Sequence, residues 1–256
     1  MASYKNAAHE NEAVHTEFTQ QLEDIPFLKA HREWVEEHDW GFGDRAFHYL
    51  WLLIVKYLSS PHLASSPALE IGVYKGQVLS LWALCADKLK VPLEIFAISP
   101  FSGNGPRSRI LHHFRKKMQP RYRELAALGN IYSQGDYLAA CRIIFERFEL
   151  DFGKVHSIRG KSSDPDVYRQ IQDLRFGLIY IDGDHSFEGV KSDILHYCPL
   201  IKTGGLLVMD DSSCDLPGIG FFKGYPAVSE AARIIPSLGF KNVLNVGHNR
   251  VYLRIE

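Results

Sequence analysis

The 256-residue sequence predicts an α/β fold. The expected layout is a doubly wound, mostly parallel sheet finished by an antiparallel hairpin, with an N-terminal helical layer. Three observations carry this. The short runs "ALEIG", "LEIFAIS", "KVHSIRG", "FGLIYID" and "GGLLVMDD" are continuously apolar rather than alternating, as in strands buried on both faces. Helical segments at 76–90, 136–149 and 186–198 separate them, and strand–helix alternation implies a parallel sheet covered on both sides. The last stretch, "KNVLNVGHNRVYLRIE", places two strands around Gly247-His248-Asn249, a hairpin signal.

Residues 1–64 read as a helical extension and 65–256 as the α/β domain. "NEAVHTEFTQQLEDI" lacks Gly and Pro and carries charge throughout. "GDRAFHYLWLLIVKYL" sets Phe47, Leu50, Leu53, Ile54 and Leu58 at helical spacing, and Gly43-Asp44 supplies a helix start. These helices pack on the core, and Trp40, Phe42 and Tyr49 are candidates to wall a ligand pocket. The polar stretch 102–134, rich in Arg, Gly and Pro, reads as an excursion over the surface.

Composition narrows the function classes. Apolar residues make up 46% and charged residues 23%, with a formal net charge of −1. That balance gives no electrostatic reason to expect nucleic acid or an acidic membrane as partner. Cys85, Cys141, Cys198 and Cys214 form no CxxC pair and read as reduced thiols of a cytoplasmic protein. The first residues, "MASYKNAAHENEAVHTEF", have no apolar core of a signal peptide. The longest apolar run, "YLWLLIV", is too short to span a bilayer.

Ligands of an open α/β sheet bind beyond the carboxyl ends of its strands, so those ends hold the candidate site. The first strand runs into Glu70-Ile71-Gly72-Val73-Tyr74-Lys75-Gly76-Gln77. Two glycines bracket a tight turn where a ligand can approach the backbone, ahead of a helix start with free N–H groups. The pattern is not GxGxxG, which disfavours a nicotinamide dinucleotide. The second strand ends at Ser99, where a ribose-binding ligand usually meets an acid. Gly160-Lys161-Ser162 imitates a P-loop, but Val155 stands where its first glycine is needed; Ser162 remains a candidate contact for a base.

The stretch "IYIDGDHSFE" ends a buried strand in Asp182, and "LLVMDD" ends another in Asp210 and Asp211. The helix between them makes a βαβ unit. Adjacent strands lie roughly 4.8 Å apart, so three carboxylates would meet at one rim. Such a set repels itself unless a cation sits among it. Oxygen ligands suit Mg²⁺ or another hard divalent ion. Phe187 at the sixth loop position excludes an EF-hand. "HENEAVH" fails the HExxH spacing of a zinc site.

"LEIGVYKGQ", "IYIDGDHSFEGVKSDI" and "PLIKTGGLLVMDD" together resemble the class I S-adenosylmethionine-dependent methyltransferases of the "methyltransferase domain 24" type. More distantly they resemble the metal-dependent O-methyltransferases of macrolide and aminocoumarin biosynthesis. The likeness covers roughly residues 65–211. It implies a Rossmann-like sheet and S-adenosylmethionine bound at Glu70–Gln77, with Glu70 and Gly72 lining its methionine part and Tyr74, Gly76 and Gln77 among the cofactor contacts. Ser99 would face the ribose, and Ser162 and Asp182 would complete the cofactor contacts. Asp182, Asp210 and Asp211 would hold a divalent cation.

The implied reaction is methyl transfer to a hydroxyl of a sugar or natural-product small molecule. The metal lowers the pKa of that hydroxyl, and Asp184 or His185 takes the proton. His185 is the favoured base, its free pKa lying near about 6.5; a supporting bond to a metal ligand is its other role. Two further readings stand beside this one: a hydroxylase-like enzyme using the same carboxylate–metal rim, and a non-catalytic cofactor-binding scaffold. The sequence leaves room for a homo-oligomer and names no acceptor.

Overall fold

The computed structural model describes residues 4–106 and 108–256. Residues 1–3 of the expected helical extension and Arg107 of the 102–134 stretch lie outside the described residues. Three helices come first: α1 (Ala8–Glu23), α2 (Pro26–Glu37) and α3 (Ala46–Leu58). Asp44 starts α3 as expected, its carboxylate accepting from the Ala46 N–H at 3.1 Å. Phe47, Leu50, Ile54 and Leu58 are buried, Leu53 only partly. These helices share one hydrophobic cluster with a face of the sheet, so the helical layer and the sheet bury a common core.

The alternating part follows: β1 (Ala68–Ile71), α4 (Gln77–Leu89), β2 (Ile95–Ser99), α5 (Arg109–Met118), α6 (Pro120–Ala127), α7 (Tyr137–Arg147), β3 (Val155–Arg159), α8 (Pro165–Arg169), β4 (Phe176–Ile181), α9 (Phe187–Tyr197) and β5 (Ile201–Met209). After α10 (Pro226–Ala231), β6 (Phe240–Val246) and β7 (Asn249–Arg254) form the hairpin. The sheet order is β3-β2-β1-β4-β5-β7-β6. All pairings from β3 to β5 are parallel, and β7 pairs antiparallel with both β5 and β6.

From Leu178 onward, past an irregularity after Phe176, side chains of β4 alternate between two clusters. Leu178 and Tyr180 join α1–α4 and α7 on one face, while Phe176, Ile179 and Ile181 join α8–α10 on the other. Burial on both faces is why these strands are apolar without a period of two.

One expectation changes. The 102–134 stretch contains helices α5 and α6 and is mostly exposed, as expected, but its last part also touches the site: the Leu128 carbonyl meets the His185 ring and Asn130 bonds Asp184. Among the described residues no helix is long and apolar enough to cross a membrane.

Candidate active site

Strand register lines up the candidate residues. Ile71 pairs with Ile181, and Ile181 with Met209, so the strand ends sit level. The ladder continues one step further. The Asp182 N–H donates to Ile71 O at 2.8 Å, and the Asp210 N–H to Ile181 O at 3.0 Å. Asp182, Asp210 and Asp211 therefore leave β4 and β5 side by side, as the sequence spacing predicted. Asp211 holds a left-handed backbone (φ +50°), a conformation costly for a residue with a Cβ and common at functional sites.

The three acids strain against one another. Burial and the Asp211 charge raise the Asp182 carboxyl to about 8. Burial, then Asp182, pushes Asp210 well above the usual carboxylate range. Burial and Asp210 raise Asp211 to about 7. The cause is desolvation reinforced by like charge. Asp182 keeps a 28% exposed side chain at the mouth of this rim, against 10% for Asp211.

His185 faces the acids. Its Nδ1 lies 2.6 Å from the Leu128 carbonyl; a carbonyl only accepts, so Nδ1 carries the hydrogen. Nε2 then points at the rim, 3.5 Å from Asp211 Oδ2 and 3.8 Å from Asp182 Oδ1. This buried nitrogen makes no hydrogen bond. The ring stacks on Tyr225 at 4.7 Å between centroids.

Asp184, the other base candidate, is occupied elsewhere. Its Oδ1 accepts from Asn130 Nδ2 at 2.8 Å and from the Ser186 N–H at 2.7 Å. Asn130 Oδ1 in turn accepts from the His185 N–H at 3.1 Å. Asp184 is exposed and shapes the turn that presents His185. Its task is an Asx-type turn ahead of α9.

The glycine turn departs from its expected reason. Gly72 (φ +100°) lies against the Asp182 carbonyl, where a Cβ could not fit. Gly76 (φ +84°) lies against α7, a Cβ there coming within 2.8 Å of Cys141 Sγ. Packing of β1 on β4, and of the turn on α7, demands both glycines. Gly76 still caps α4 without a side-chain acceptor, so the first-turn N–H groups of α4 stay free for a ligand.

Glu70 is 3% exposed and its Oε2 has no partner. Burial, then Asp182 and Asp210, raises its pKa strongly. Tyr74 stacks on Phe42 at 5.0 Å, and Lys75 Nζ sits 5.1 Å from the Trp40 ring. Trp40 and Phe42 therefore flank this turn. Tyr49 packs edge-on to Phe18 within the helical layer, away from the pocket role expected of it. The Gln77 side chain fills the space beside Gly41.

Ser99 and Ser162 have other partners. Ser99 Oγ donates to Val73 O at 2.9 Å and accepts from the Phe101 N–H at 3.1 Å. It ties the end of β2 to the glycine turn rather than standing open to a ribose. The Ser162 carbonyl accepts from the Tyr197 hydroxyl at 2.7 Å.

A family model described as a methyltransferase domain matches residues 69–212, more than half of the chain. The chain belongs to the methyltransferase domain family. This is an S-adenosylmethionine-dependent methyltransferase, and its fold is shared by solved O-methyltransferases. The O-methyltransferase NovP is 14% identical with a TM-score of 0.58, covering 82% of this chain and 79% of NovP. CalS11, a TDP-rhamnose 3′-O-methyltransferase of calicheamicin biosynthesis, is 16% identical with a TM-score of 0.56, covering 99% and 95%. TomG from Streptomyces achromogenes, an O-methyltransferase involved in tomaymycin synthesis, is 13% identical with a TM-score of 0.53, covering 96% and 99%. No curated protein matches the methyltransferase by sequence.

The residues present fit S-adenosylmethionine and would also suit a divalent cation. S-adenosylmethionine carries a sulfonium and an ammonium, and the buried, unpartnered Glu70 Oε2 beside the turn offers a counter-charge. A divalent cation suits the acidic rim, where Asp210 Oδ1 and His185 Nε2 are buried without hydrogen-bond partners.

One member of the rim was missed in the sequence. His248, in the hairpin turn, stands 3.4 Å from Asp210 Oδ1 and 3.8 Å from Asp211 Oδ1 through Nε2. Burial pulls its pKa down to about 4. The only sequence signal was a histidine in a hairpin loop, which names no neighbour. Tyr132 and Tyr225 also approach, their hydroxyl pKa values raised by burial and by the same acids.

Proposed function

We propose that the methyltransferase moves the methyl group of S-adenosylmethionine to a hydroxyl oxygen of a small molecule, of sugar or natural-product type. It does so with a divalent cation, Mg²⁺ or a related ion, held by Asp182, Asp210 and Asp211. The observation that carries this is His185 Nε2, buried, unpartnered and facing the Asp182 and Asp211 carboxylates at the strand ends. That CalS11, NovP and TomG are named as O-methyltransferases supports an oxygen target.

The cation would supply acidity to a bound hydroxyl. The chain supplies the rest. Leu128 O fixes the His185 tautomer and Tyr225 fixes the ring plane, so Nε2 accepts the hydroxyl proton. Glu70 and the start of α4 hold and orient the methyl donor. Holding donor and acceptor in one site at the strand ends would remove much of the entropic cost of their meeting.

The test is transfer of labelled methyl from S-adenosylmethionine to a panel of sugar nucleotides and phenols, with and without chelator. Transfer abolished by chelation and restored by Mg²⁺ or Mn²⁺ is expected. Transfer that survives exhaustive chelation would sink the cation's role and leave a base-only mechanism on His185. Cofactor consumption without methylated product would favour a hydroxylase-like reading of the rim.

A further inference from the structure

We propose that His248 is a ligand of the cation site beside Asp210 and Asp211, making it a mixed nitrogen–oxygen site that prefers Mn²⁺ or Co²⁺ to Mg²⁺. This rests on the reading of the acidic rim as a cation site.

Geometry carries the assignment. One ligand atom each from Asp210, Asp211 and His248 fall within 4.8 Å of one another. Ligands on one six-coordinate ion with bonds of about 2.1 Å stand about 3 Å apart when adjacent and about 4.2 Å when opposed. The His248 Nε2 distances of 3.4 and 3.8 Å lie inside that range. They are also too long or misaligned for hydrogen bonding, since Asp210 Oδ1 receives none. A second, independent group points to the same place: the buried, unpartnered Nε2 of His185, 3.5 Å from Asp211.

The hairpin holds the ring in position. The His248 carbonyl accepts from the Ser212 N–H at 3.0 Å, tying the loop to the residue after Asp211. Val246 pairs with Asn249 across the two-residue turn. The ring is clamped edge-on by Phe47 at 4.5 Å and by Phe222 at 5.3 Å. A histidine kept only for packing would not need its Nε2 against two carboxylates. An imidazole in the ligand set moves a site's preference from Mg²⁺ toward first-row transition ions.

The test loads the full chain with Mn²⁺ alone and records electron spin-echo modulation. Wild type is expected to show coupling to a directly bound histidine nitrogen, confirmed by isotopic labelling of histidine. His185→Gln should retain that coupling and His248→Gln should lose it. Calorimetry should find wild type binding Mn²⁺ more tightly than Mg²⁺ by about an order of magnitude, with the preference collapsing in His248→Gln. If His248→Gln fails to fold, isotopic labelling in the His185→Gln background decides the point. Mn²⁺ bound without nitrogen coupling, or coupling that survives in His248→Gln, would overturn this proposal and leave the oxygen-only site intact. No binding of Mn²⁺ or Mg²⁺ at all would overturn the cation site itself.

Discussion

At the end of β2, Ser99 Oγ donates to Val73 O and accepts from Phe101 N–H, so a buried hydroxyl is satisfied by backbone. At the ends of β4 and β5, Asp210 Oδ1 and His185 Nε2 are equally buried and have no partner. Both regions are the same structural feature, the carboxyl end of a parallel strand. A satisfied polar group there closes the architecture. An unsatisfied one costs stability, and that cost is retained where a ligand is to be met.

The contrast breaks most sharply at His185. His185→Gln should lower kcat by about 10²–10⁴-fold, the usual share of general base catalysis. Cation affinity, measured by calorimetry, should hardly move. A kcat within a few-fold of wild type would return the proton to another acceptor.

Asp210→Asn and Asp211→Asn come next. Each should weaken cation binding and reduce activity, with partial recovery in excess metal, because ligand loss acts through occupancy. Recovery can be followed by titrating Mg²⁺ into the assay. Full activity without added metal would remove these residues from the site.

The acids also set a pH signature in stability. In cation-free protein, Asp182 titrates near 8, against about 3.9 in an unfolded chain. Between those values the native state keeps a proton the unfolded state has released, so stability falls as pH rises. Melting temperature should therefore drop from about pH 6.5 to about pH 8, above the range where His248, pulled down to about 4, gives the opposite slope, and Asp182→Asn should flatten the drop. With a divalent cation present the trend should reverse, because binding requires the deprotonated acids. A flat profile in cation-free wild type would mean that the acids do not share a desolvated rim.

The smallest effects belong to the satisfied end. Ser99→Ala should cost about 1 kcal/mol per lost bond in urea unfolding, with cofactor affinity little changed. Ser99→Asp, attractive as a restored ribose acceptor, would set a carboxylate against the Val73 carbonyl and should weaken the turn. Tighter cofactor binding in Ser99→Asp would show that the serine faces the ribose after all. Asp184→Asn should likewise reduce kcat only a few-fold, because the amide oxygen can still accept from Ser186.

Much of this molecule is legible in its sequence because burial on both faces leaves a direct mark. Continuous apolar runs such as "FGLIYID", short and alternating with helical segments, read as central parallel strands. Register then made the meeting of Asp182 with Asp210 and Asp211 a consequence of local order, since neighbouring parallel strands end level. The family match spans the same part of the chain, residues 69–212. Tertiary structure alone decided how each polar group is used. Ser99 turned toward Val73, Asp184 toward Asn130 and Ser186, and Gly72 against Asp182, because partners far along the chain arrive only when the sheet closes. His248 reaches the rim from the C-terminal hairpin, and Leu128 comes from a stretch that reads as surface. Sequence fixes residue types and periods; which donor stands opposite which acceptor depends on contacts that no local period encodes.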